Sequence, residues 1–117
     1  MERSNLLRTR CIQLLAINRA LFDSGHPRAA YYALEAAIQC AADCGDSFTI
    51  HHAGAAAADQ QRQLTERVMR SSVGISSTED HEAQRWANLS GLYAIAVRQA
   101  RFIAQSLDPR SASDSEC

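Results

Sequence analysis

A chain of 117 residues with 46% hydrophobic side chains and two prolines is sized for one globular domain with its own core, without metal or disulfide staples. Its net charge of −1 gives no global field toward nucleic acid, and no apolar run reaches the length of a membrane span. Alanine abounds and β-branched runs are missing, so an all-α class is expected.

All twelve basic side chains are arginine. Codon bias in a GC-rich genome accounts for this more simply than selection for bidentate phosphate or carboxylate recognition. Arginines crowd residues 1–28, whereas residues 29–61 hold acids and no arginine, so neighbouring helices can complement each other. Gln13, Asn18 and Arg19 interrupt the first apolar stretch too early for a signal peptide, and a cytoplasmic location is expected. Cys11, Cys40, Cys44 and Cys117 then read as reduced thiols, the first three partly buried.

The first helix should span about 4–23, with Leu7, Cys11, Leu14, Asn18 and Leu21 as its stripe. Ser24 and Gly25 stop it, and Pro27 suits the first turn of a second helix whose stripe is Ala30, Leu34, Ala37, Ala41 and Cys44. Gly45 ends that helix, and Asp46 or Ser47 can cap the next. The third helix, about 47–70, repeats the spacing at Ile50, Gly54, Ala57, Gln61, Leu64 and Val68. This stripe is narrow and small, so close backbone approach must hold it. Asp59–Arg62, Arg62–Glu66 and Glu66–Arg70 are spaced for surface ion pairs. A loop over 71–77 carries Val73 and Ile75, and Ser76 or Ser77 opens a fourth helix running to about Leu107. The domain is thus 1–108, followed by a disordered polar tail over 109–117.

The fourth helix carries two apolar stripes. Trp86, Leu89, Tyr93, Ala96, Ala100, Ile103 and Leu107 step by three and four along one face, while Leu92, Ile95, Gln99 and Phe102 follow a flank of it. One stripe seals a core. The other either widens that core or meets a second chain, and Leu92, Ile95, Gln99 and Phe102 are the candidate interface of a homodimer. Four helices with short connections most economically form an antiparallel up-down-up-down four-helix bundle.

Chemistry is thinly marked. Asn18, in mid-stripe, reads as a register device or a satisfied core amide. Cys40, Cys44, His51 and His52 are the densest set of possible metal ligands, but His51 and His52 point about 100° apart on a helix and no second thiol pair accompanies them. Neither a metal nor a cofactor is expected. Arg3, Arg8, Arg10 and Arg19 with Arg85, Arg98 and Arg101 would form one basic side if the first and last helices were neighbours, yet no aromatics interleave with them and nucleic acid is not the expected partner.

Two local resemblances extend this reading. Arg19, followed after six residues by His26, resembles the Arg-x4–6-His signature of the helical HEPN ribonucleases. That likeness implies a phosphate-handling pair at a dimer interface, and it covers only these two residues. The segment from Leu14 to Ala42 is similar to a single tetratricopeptide unit in the placing of Gly25, Ala30, Leu34 and Ala37, but lacks the signature Trp, Gly and Tyr of the first helix and the final Pro. It implies stacked helical hairpins as the alternative architecture and a peptide-binding hairpin as an alternative role. The overall expectation is a non-catalytic, self-associating interaction or scaffold module. The alternative from another class is a helical enzyme or ligand-binding bundle using Arg19 and His26, or Cys40, Cys44, His51 and His52.

Overall fold

In the computed structural model the described residues are 2–71 and 77–107, with side chains over 6–70 and 84–107. They form four helices, α1 (Glu2–Asp23), α2 (Pro27–Cys44), α3 (Ser47–Ser71) and α4 (Ser77–Leu107). The connection between α3 and α4, including Val73 and Ile75, and the tail over 109–117 lie outside the described residues.

The first two turns are built alike. At Gly25 and Gly45 the backbone takes φ of +87° and +70°, the left-handed region that glycine enters without a Cβ penalty. After each glycine the next amide reaches back across the helix end, His26 N–H to Leu21 O at 2.9 Å and Asp46 N–H to Ala41 O at 3.3 Å. These bonds satisfy carbonyls that the helix itself leaves unpaired. Pro27 then opens α2, and Asp46 caps α3 by accepting hydrogen bonds from the Phe48 N–H (3.2 Å) and the Thr49 hydroxyl. Arg8 of α1 adds an ion pair to the same carboxylate at 2.9 Å.

The helices pack as two antiparallel hairpins, α1 with α2 and α3 with α4, each more intimate within itself than against the other. Between hairpins, α1 lies beside α3, and α2 touches both α3 and α4. The principal extents are 54 × 35 × 14 Å. The short one fits two layers of helices whose axes lie about 10 Å apart. The backbones of α1 and α4 do not meet among the described residues, which corrects the expectation of one basic side shared by the first and last helices.

Small side chains hold the α3–α4 hairpin, as its stripe requires. Ala53, Ala57, Ala96, Ala100 and Ala104 are buried in it, and a Cβ on Gly54 would stand 3.4 Å from that of Ala100. The buried row of α3 is Ile50, Ala53, Ala57, Gln60 and Leu64, one position off the expected Gly54 and Gln61. Up to Leu64 the two rows differ only in Ala53 and Gln60 against Gly54 and Gln61, one small residue and one glutamine in each, so apolarity alone hardly chooses between them. Gln60 has a buried partner, and that decides the register.

That partner is Asn18. Its Nδ2 donates to Ala30 O (2.6 Å) and to Gln60 Oε1 (3.0 Å), while Gln60 Nε2 donates back to Asn18 Oδ1 (2.6 Å). Tyr93 of α4, fully buried, meets Phe22 and Tyr31 at ring-centroid distances of 6.1 and 5.5 Å and donates its hydroxyl to Pro27 O at 3.1 Å. Burial pushes its hydroxyl above the ordinary phenol range, against an opposing hydrogen bond with Asn18. Asn18 is thus the satisfied core amide expected from its position, and this small polar centre joins all four helices.

Candidate functional site

The expected interface divides in two. Leu92 and Gln99 are partly buried, Leu92 against the monomer core, whereas Ile95 and Phe102 are 57% and 71% exposed. Seven residues separate Ile95 from Phe102, about 10.5 Å along one helix face. One turn before Ile95 is Gly91, also exposed, where an added Cβ would meet nothing within 4 Å.

A second feature is a groove between α1 and the first half of α3. Two adjoining depressions of about 540 and 370 Å³ share Arg19, Asp23, His52 and Ala56. The larger is lined by Leu15, Ala16, Ala20 and Thr49 together with Ile12 and Phe48, which are 54% and 69% exposed. The smaller is polar, reaching Asp59, Gln60 and Gln63. The residues contributed by α1, Ile12 through Asp23, share one flank of the helix because they step by one, three and four positions. The Phe48 ring meets the His52 ring edge-on at 4.7 Å. Asp59 is engaged by Arg62 (2.5 Å) and Gln63 (2.9 Å), whereas Arg19 makes no ion pair among the described residues.

The sequence-derived sets fare differently. His26 sits in the first turn with its Nδ1 3.2 Å from Ser24 Oγ, and lines neither depression; the histidine that joins Arg19 is His52. Of the candidate metal ligands, Cys40 donates its thiol to Leu7 O at 3.6 Å in the α1–α2 seam, His51 borders a depression between α3 and α4, and His52 faces α1. Among the described residues no group of three His, Cys, Asp or Glu side chains is placed to hold a metal ion. Cys40 instead neighbours Cys11, whose thiol is pushed up to about 12 first by burial and then by Cys40 itself. A thiol so held stays protonated at neutral pH and is a poor nucleophile.

Sequence reasoning missed the groove because its two walls lie on different helices, and nothing in one helix says which flank another will leave uncovered. The exposure of Ile12 and Phe48 was equally hidden, since a single large apolar residue off the main stripe does not say whether another helix covers it. Among the described residues no helix is long and apolar enough to cross a membrane. No family model matches this chain, and neither a curated protein nor a solved structure is similar to it.

Proposed function

We propose that this chain is a non-catalytic helical association module of the cytoplasm that pairs with a second copy through the outer face of α4. The observation that carries the reading is the exposure of Ile95 and Phe102, two large apolar side chains two turns apart on one face, in a helix whose opposite face already fills the core. Gly91 supports it. Glycine inside a helix costs about 1 kcal/mol relative to alanine, and unlike Gly54, which abuts Ala100, Gly91 has no neighbour among the described residues that demands it. A bare backbone beside two apolar knobs suits the close approach of another helix.

Light scattering over a concentration series tests this, with Phe102→Asp as the variant. A dimer that becomes a monomer of unchanged helicity is the expected result. A wild-type chain that stays monomeric throughout the series overturns the reading. Since Phe102 is exposed, unfolding of the variant is not expected; if it occurs, Ile95→Asp gives the same test from two turns away.

A further inference from the structure

We infer that the α1–α3 groove is a binding site for a medium-chain aliphatic carboxylate, with the head group on Arg19 and the chain lying toward Ile12 and Phe48. This does not rest on the α4 interface and uses none of its residues. The order of chemistry along the groove sets the ligand. From Ile12 to Arg19 is seven residues, about 10.5 Å along α1, and that stretch is walled by Leu15, Ala16 and Phe48. An extended chain of roughly eight to ten carbons spans such a length, and its transfer from water favours an apolar lining. At the end of that stretch the first charged group is Arg19, one of four residues common to both depressions and without an ion pair among the described residues.

A guanidinium offers a planar pair of donors to a carboxylate, which a bare apolar groove does not. Two acids also line the groove, Asp23 in both depressions and Asp59 in the smaller. Asp59 is already bound by Arg62 and Gln63, and Asp23 lies one turn further along α1 without pairing to Arg19. A ligand anchored from the apolar end therefore reaches the cation before it reaches an uncompensated acid. Gln60 lies at the polar end, 4% exposed, with both amide atoms engaged by Asn18 and one N–H left to donate. The open side of the groove leaves part of the chain in water, so binding in the micromolar to millimolar range is expected.

Titration calorimetry with decanoate, decanol and decylamine, each below its aggregation concentration, tests the assignment on the full chain. Decanoate should bind saturably at one site per chain, with decanol and decylamine at least about fivefold weaker. Arg19→Met, which keeps the apolar stem, should remove the preference for decanoate over decanol. Phe48→Ser, which removes the apolar wall without adding charge, should weaken decanoate and decanol alike, and Asp23→Asn should tighten decanoate by withdrawing the nearby negative charge. Equal affinity for decanoate and decanol, tighter binding of decylamine, no binding up to millimolar decanoate, or an Arg19→Met variant that still prefers decanoate would each overturn it. Light scattering on the same samples reports the association state, so failure of the groove and failure of the α4 interface are read separately.

Discussion

Asp46 gathers three donors at one turn, the Phe48 N–H, the Thr49 hydroxyl and the Arg8 guanidinium, and so ties the start of α3 to α1. The Thr49 hydrogen bond does most to hold its carboxyl below the ordinary value of 3.8, with Arg8 adding to it and burial opposing. All three donors favour the ionised form, so the folded state binds this proton less readily than the unfolded chain. The stabilisation is therefore complete above pH 4 and is lost as pH falls through the folded-state value. Asp46→Asn keeps a capping oxygen but removes the charge. It should cost about 1 kcal/mol at pH 7 and flatten the acid side of a urea-midpoint curve, whereas an unchanged acid limb would show that other carboxylates set it. Glu35 is the opposite case, because its Oε1 is buried with no hydrogen-bond partner among the described residues. In a Tyr31→Phe background, which has already lost the hydroxyl that bonds this carboxylate, Glu35→Met keeps the stem and removes the orphan acceptor, so stability should rise by about 1 kcal/mol relative to that background, read from the same denaturant midpoints.

The helices themselves are well encoded. Gly25, Pro27, Gly45 and Asp46 bracket α2 and start α3 through backbone requirements that act within a few residues, which is why they can be read without knowing the fold. The stripes of α1, α2 and α4 were legible for a similar reason, since Cys11, Leu34 and Tyr93 have large or dense side chains whose spacing names a face. In α3 the two neighbouring rows each offer one small residue and one glutamine, Ala53 and Gln60 or Gly54 and Gln61, and the row that turns inward is chosen by the tertiary Asn18–Gln60 pair. Of the candidate site residues, Ile95 and Phe102 lie on the surface as an interface requires, while Leu92 leans into the core, because adjoining stripes on one helix blur where a core ends. Gly91 offers an element-level experiment with opposed readouts. Gly91→Ala should raise the melting temperature of the diluted monomer, by an amount equivalent to about 0.5–1 kcal/mol, since alanine is the better helix former and nothing blocks its Cβ. The same change should weaken self-association if a second helix approaches there. Gains in both would place the approach elsewhere on α4.

At the scale of the molecule, two tightly packed hairpins are joined by a thinner seam, and a reciprocal amide pair lies within it. The fold class follows from the sequence, but the order of stacking does not. Whether α1 neighbours α3 or α4 depends on long-range partners such as Asn18 and Gln60, 42 positions apart, and no local pattern marks that pairing. A buried polar seam also sets how cooperatively the hairpins unfold. Asn18→Ala leaves Gln60 with unmet groups in a buried site and should cost about 1–3 kcal/mol, as should Gln60→Ala for Asn18. The double variant should cost less than the sum, because the second deletion removes a group that the first had already orphaned. Trp86, under Arg67 at 5.0 Å, reports the α3–α4 hairpin alone, while far-UV circular dichroism reports all four helices. In the wild-type chain the two urea transitions should coincide, as for one cooperative unit. With both amides replaced by alanine the seam keeps only its apolar contacts, and the Trp86 transition should separate from the helical one. If they still coincide, the Phe22, Tyr31 and Tyr93 cluster joins the hairpins without help from the amides.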